Sequence, residues 1–296
     1  MKQNLNPIER GCMEKKQDLS VINCIATAFL AYFFTVPVHE LFHAITSLAY
    51  GDRILMYSAT AVQPASIIDY KSLDTFNRIM VSGGSASILN AVIAIILAAI
   101  LLRCTMGPEL RLFFTQLMGA QFCQGFGYFL IGGFFAAGDW GQVFSYFTDD
   151  PGFVSSLRII LSVIGSAGVV MTFFLLNHMS YYFIEDPSDK KEKKSVAFKL
   201  HLLMFIIGIA VGVPLTLIGP HYESGGLSVV MVILFNFRWI PFFWGFMFTG
   251  IMRVMQPVES RFLYKLPEKP DWVLFASGMI LMLIDIFVFG PGLFFS

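Results

Sequence analysis

Apolar residues fall into seven long blocks, approximately 21–50, 79–102, 112–137, 154–185, 196–219, 226–252 and 272–294. A helix needs about 20 such residues to cross roughly 30 Å of hydrocarbon. The pattern therefore predicts an all-α polytopic membrane protein with about seven transmembrane helices. One stretch breaks the pattern. ILMYSATAVQPASIIDY (54–70) alternates loosely, is rich in β-branched and aromatic residues, and is interrupted by Pro64. It reads as a short hairpin or re-entrant segment after the first helix. The charge run DPSDKKEKKS (186–195) reads as a solvated loop and separates the first four blocks from the last three.

Composition agrees with the pattern. Of the 296 residues, 56% are hydrophobic and 14% charged, against about 25% charged in an ordinary soluble domain. The formal net charge is zero, so no basic surplus points to nucleic acid. The longest gap between blocks, about 51–78, is too short for a separate soluble domain. Any chemistry is expected in or beside the bilayer. The four cysteines show no CxxC pairing, which signals neither a disulfide framework nor a thiolate metal site.

Loop charges predict the orientation, because lysine and arginine are retained on the cytoplasmic face. A cytoplasmic N-terminus puts 15 basic residues on that face and leaves only Arg53, Lys71, Arg78 and Arg158 on the other. The first apolar block is too long for a cleavable signal peptide and reads as an uncleaved anchor.

Within the first block, VPVHELFHAI (36–45) carries His39, Glu40 and His43. Ionisable groups near the bilayer centre cost on the order of 2.5–3.5 kcal/mol each on an insertion scale, so three in five residues need a partner. On a helix, His39 and His43 stand at i and i+4 on one face, and Glu40 is rotated by about 100° from His39. This is the HExxH arrangement. Two imidazoles at that spacing can bind one zinc ion, and the glutamate can take a proton from a water in an open position. A third protein ligand is then required. Asp139, in FFAAGDWGQVF at the far end of the third block, is the leading candidate. Blocks one and three run parallel, and the glycines from 119 to 141 predict a break near Gly138 that turns the aspartate inward.

HELFH on an early transmembrane helix, small residues in the next (VSGGSASILNAV), and a Gly-Asp-x-Gly element closing the third resemble the three-helix core of the site-2 protease family of intramembrane zinc metalloproteases. The resemblance covers about residues 21–150. It implies one Zn2+ per chain held by His39, His43 and Asp139, with Glu40 as general base, cleaving a peptide bond of a transmembrane protein substrate. It also implies a substrate-binding role for Asn90, for which a polar helix–helix contact is the alternative. The motifs differ in detail, with Asp139-Trp140-Gly141 for the family's Asp-Gly pair and no proline between Gly84 and Asn90. The family's HExxH helix generally runs toward the cytosol, whereas the loop charges here run it outward.

The expected organisation is an N-terminal cytoplasmic segment (1–20), a metalloprotease-like core (21–150) and four additional transmembrane helices (151–296). Two other readings fit HELFH: a membrane zinc hydrolase acting on a lipid amide or ester, and a seven-span transporter or receptor with an ion or proton site. Arg238 and Asp285 lie deep in blocks six and seven and are expected to form a structural ion pair. His178, His201 and His221 are further ligand candidates, His221 with Glu223 being the best placed of them. The expected partners are the lipid bilayer and a membrane-embedded substrate.

Overall fold

The computed structural model describes residues 19–184, 186, 188–218, 236, 238–248 and 269–295. The first apolar block folds as two helices, α1 (Val21–Phe33) and α2 (Val36–Ala49), separated by a turn at Phe34 and Thr35. Pro37 accounts for the break, because a proline cannot donate to the carbonyl one turn earlier and its ring crowds that carbonyl. The second block is α3 (Thr75–Ile79), a π-turn over Met80–Gly84, and α4 (Ser85–Arg103). Then follow α5 (Pro108–Phe135), α6 (Gly138–Ser145), α7 (Pro151–Ser180), α8 (Lys190–Ala197) and α9 (Leu203–Ile218). The remaining helices among the described residues are α10 (Ile240–Met247) and α11 (Trp272–Ile284), the latter continuing through a π-turn to Phe289.

Among the described residues, five helical segments are long and apolar enough to cross a membrane: Val21–Ala49, Thr75–Arg103, Pro151–Phe183, Lys190–Ile218 and Trp272–Phe289. They make the chain, by length and composition, a multi-helix membrane protein. The described residues do not confirm the expected count of seven. The third expected span is α5, whose 28 residues suffice in length, but Gln116, Gln121, Gln124 and its glycines lower its apolarity. Those glutamines are buried, because α5 is surrounded by α1, α4, α6 and α7 and faces protein where a lipid-facing helix would need apolar side chains. Most of the expected sixth span, 226–252, lies outside the described residues; α10 is its described part. The exposed apolar side chains of α7, among them Ile159, Val163 and Phe174, form an outer surface suited to lipid.

The stretch after α2 forms the expected hairpin. Strands β1 (Ile54–Tyr57) and β2 (Val62–Pro64) pair antiparallel, with Tyr57 opposite Val62 and a bulge between Ile54 and Met56. A third strand, β3 (Leu293–Phe294), covers the other edge of β1, giving the order β2-β1-β3. This departs from the expectation of helix through residue 294. Gly290, Pro291 and Gly292 end the helix, with Gly292 at φ 88°, and the released chain pairs with the sheet.

The first and last membrane-length helices run parallel. Near their starts, Asn23 donates to the Lys269 carbonyl and accepts from the Asp271 N–H. Past their ends, the Ala59 N–H donates to the Phe289 carbonyl. The hairpin and residues 293–294 therefore lie at the same end of the helical bundle. Helices α1 and α5 are also parallel, since Gln116 donates to the carbonyl of Cys24 and Gln121 to that of Phe34.

Candidate metal centre

His39 and His43 lie one turn apart on α2, directly after the Phe34–Thr35 break. Their rings meet edge-on, with centroids 4.9 Å apart. Asp139 arrives from α6. Helix α5 ends at Phe135, Ala136 takes a left-handed conformation at φ 51°, and Gly138 does the same at φ 64°. This reversal places Asp139 in the first turn of α6, as the glycine pattern predicts.

Two contacts hold α6 against its neighbours. The Trp140 indole donates from Nε1 to Ser87 Oγ at 3.0 Å, and its ring packs over Gly132, where any β-carbon would collide with Trp140 Cβ. The π-turn of the second membrane helix supplies the other contact. Gly83 has φ 145°, and a β-carbon there would meet the Asp139 carbonyl oxygen at 2.7 Å. Only glycine combines that backbone conformation with that approach.

The donor atoms converge. His39 Nε2 lies 3.0 Å from Asp139 Oδ2, and His43 Nε2 lies 3.3 Å from the same oxygen. One atom from each of the three residues falls within 4.8 Å of the others. His39 Nε2 and Asp139 Oδ2 are buried and make no hydrogen bond among the described residues. A ring lone pair facing a carboxylate oxygen is repulsive unless a metal ion or a proton lies between them. Donor atoms around a tetrahedral ion with bonds of about 2.0–2.1 Å stand roughly 3.3 Å apart, so the spacing to Asp139 Oδ2 suits a bound metal. The His39 side chain is fully buried, while those of His43 and Asp139 are 16% and 15% exposed. The centre is sealed behind His39 and open beside the other two.

Glu40 is buried, at 6% exposure, and lies within electrostatic range of His39, His43, Asp139 and Arg238. Tyr57 of β1 donates to the Pro37 carbonyl at 2.6 Å, which ties the sheet to the start of the metal-site helix. Tyr57 is also in electrostatic range of Glu40.

Asn90 does not take the substrate-facing position expected of it. It is fully buried, its Oδ1 is 2.6 Å from His39 Nδ1, and its Nδ2 donates to Gln121 Oε1. It stands behind the histidine because the α4 and α5 backbones come close, a β-carbon on Gly125 reaching within 2.6 Å of the Ala91 nitrogen. The polar helix–helix contact is the reading that fits.

The expected Arg238–Asp285 ion pair is also absent among the described residues. Arg238 donates from Nη1 to Tyr128 Oη at 3.1 Å and lies 5.5 Å from the ring centres of Tyr128 and Trp239. A hydroxyl acceptor and two aromatic faces engage the guanidinium in place of the carboxylate, while its buried Nε makes no hydrogen bond among the described residues. Asp285 is fully buried, and neither of its oxygens accepts a hydrogen bond from a described residue. Tyr128 links Arg238 to the metal centre, its ring lying 4.9 Å from that of His39.

The other described histidines stay outside the cluster. His201 is buried with Nε2 against Ser180 Oγ at 2.6 Å, and His178 packs edge-on to Tyr182. His221 and Glu223 lie outside the described residues. Sequence reasoning missed Gln121 and Tyr128, and it named Trp140 and Gly83 only as members of the motifs, without the contacts they make. The available signal was three glutamines in one helix-length block, since such residues need protein partners at that depth.

No protein-family model, curated protein or solved structure matches this chain.

Proposed function

We propose that the chain is a zinc-dependent intramembrane protease of the site-2 protease type, with its N-terminus in the cytoplasm. The reading is carried by the convergence of His39 Nε2 and His43 Nε2 on Asp139 Oδ2, with His39 Nε2 and Asp139 Oδ2 free of hydrogen bonds among the described residues and Glu40 on the same helix as the histidines. The two histidines and the aspartate would hold one Zn2+. When bound, zinc supplies Lewis-acid polarisation of a carbonyl and makes water nucleophilic at neutral pH.

The chain's own residues divide the remaining work. Glu40 takes the proton of the attacking water and returns it to the departing amine. Burial of His39 and Glu40 limits competing solvent and strengthens the electrostatics of the centre. The partial exposure of His43 and Asp139 gives a substrate its direction of approach. A helical substrate hides its scissile carbonyl in backbone hydrogen bonds, so the segment must be extended before cleavage. The sheet favours a peptide over a lipid substrate, because an extended strand can add to an open edge. With β1 paired on both sides, that edge belongs to β2 or β3.

The test combines metal analysis with product analysis. Purified wild-type protein should carry one zinc per chain, and in vesicles containing transmembrane peptides it should yield peptide fragments by mass spectrometry. The Glu40→Gln protein should keep the zinc and yield none. Released fatty acid or lyso-lipid without peptide fragments would replace the protease reading with the lipid hydrolase. A chain purified without stoichiometric zinc would end both.

A further inference from the structure

We propose that Gln121 is a positioning residue that, through Asn90, holds His39 in the one tautomer able to bind a metal, with the Phe34 carbonyl setting the direction of the relay. The proposal rests on the metal reading above.

The chain of contacts has only one consistent polarity. The break before Pro37 leaves the Phe34 carbonyl beside α5, where Gln121 Nε2 donates to it at 2.9 Å. A backbone carbonyl can only accept, so the amide end of Gln121 must face it. Gln121 Oε1 then faces Asn90, which must present Nδ2 and does. Asn90 Oδ1 in turn faces His39 Nδ1 at 2.6 Å. An amide oxygen only accepts, so Nδ1 carries the ring proton and Nε2 is left as a lone pair directed at Asp139. His39, Asn90 and Gln121 are at most 2% exposed, so bulk water offers no alternative partner to any of them.

The relay opposes a competing demand. In the absence of a metal, the Asp139 carboxylate 3.0 Å from Nε2 favours the other tautomer, in which Nε2–H donates to it. That state satisfies the aspartate and closes the centre on itself. Reaching it requires Asn90 to turn its amide nitrogen toward His39 Nδ1, which sets the Asn90 oxygen against Gln121 Oε1. Turning Gln121 as well sets its oxygen against the Phe34 carbonyl. The fixed acceptor at the end of the relay therefore makes the closed state costly and keeps the three donor atoms pre-arranged for a cation. Partners behind a ligating histidine commonly change metal affinity by about 10–100-fold.

The test reads the tautomer directly. In full-length, metal-free protein with 15N-labelled histidine, at a pH where the ring is neutral, long-range 1H–15N spectra report which nitrogen of His39 carries the proton. Wild type should show Nδ1–H. Gln121→Leu should shift His39 toward Nε2–H and weaken zinc binding by about 10–100-fold in a competition titration. The control is Gln116→Leu, which removes a comparable α5-to-α1 bond to the Cys24 carbonyl and should leave the tautomer unchanged. Retention of Nδ1–H in Gln121→Leu, or an equal shift in Gln116→Leu, would overturn the proposal. If Gln121→Leu does not fold, the wild-type spectrum decides, since Nε2–H there also overturns it. Loss of the metal reading would look different, with the tautomers behaving as stated and no variant or wild type binding zinc.

Discussion

Gly83 and Asp139 touch through their backbones: the space for a β-carbon on Gly83 ends 2.7 Å from the Asp139 carbonyl oxygen. The third candidate ligand is thus positioned by a glycine in a different helix, which is itself bent through a π-turn. Gly83→Ala should displace Asp139. A non-glycine residue in such a backbone region costs about 1–3 kcal/mol, and the steric conflict adds to it. Thermal unfolding in detergent should show the loss, and zinc competition should show affinity falling about tenfold for each 1.4 kcal/mol that reaches the site. Wild-type affinity in the Gly83→Ala protein would mean that the aspartate is held by other contacts.

The three ligands should fail together. His39→Ala, His43→Ala and Asp139→Ala should each purify with less than stoichiometric zinc. Glu40→Gln should keep full occupancy and lose about 10²–10⁴-fold in turnover, the usual contribution of a positioned acid–base group. Metal analysis beside a cleavage assay separates the two classes.

Trp140 pins α6 through one hydrogen bond and one packing contact. Trp140→Phe keeps much of the packing and removes the donor to Ser87, at about 1 kcal/mol. The expected result is a modest fall in melting temperature with zinc still bound. Trp140→Ala leaves a cavity over Gly132 as well and should cost about 3–5 kcal/mol.

Arg238 should couple to Tyr128 and not to Asp285. A double-mutant cycle of Arg238→Met with Tyr128→Phe should give an interaction energy of about 0.5–3 kcal/mol, as for residues in contact. The cycle of Arg238→Met with Asp285→Asn should give a clearly smaller interaction energy. Strong coupling in the second cycle would restore the ion pair expected from the sequence.

The sheet should be separable from metal binding. Replacing residues 54–70 with a short flexible linker removes β1, β2 and the Tyr57 bond to the Pro37 carbonyl but none of the three ligands. Zinc should remain and peptide cleavage should be lost. Loss of zinc in that protein would show that the sheet supports the ligands instead of the substrate.

The parts of this structure that were legible in the sequence have local causes. His39, Glu40 and His43 were readable because helical spacing alone puts the histidines on one face. Asp139 was readable because closely spaced glycines announce a reversal. The hairpin was readable from its alternation and from Pro64. What escaped depends on contacts between distant segments. Asn90 looks the same in sequence whether it faces a substrate or a histidine, and the difference lies in how closely Gly125 lets α5 approach α4. Arg238 and Asp285 sit at compatible depths, yet depth does not reveal a tyrosine that takes one of the guanidinium's donors. A two-residue strand such as Leu293–Phe294 has no periodicity of its own and exists only because β1 offers an edge.

That last strand sets an order of assembly. During synthesis, β1 emerges soon after the metal-site helix, whereas its partner at residues 293–294 follows more than two hundred residues later. The candidate ligand set is complete once Asp139 has been made, but the far edge of β1 stays open until α11 is made and the chain turns back. In the interval the nascent chain holds a complete set of candidate ligands beside an unfinished strand. Because that edge closes last, it is open to other strands while the remaining helices are being made, and only its closure ends that access.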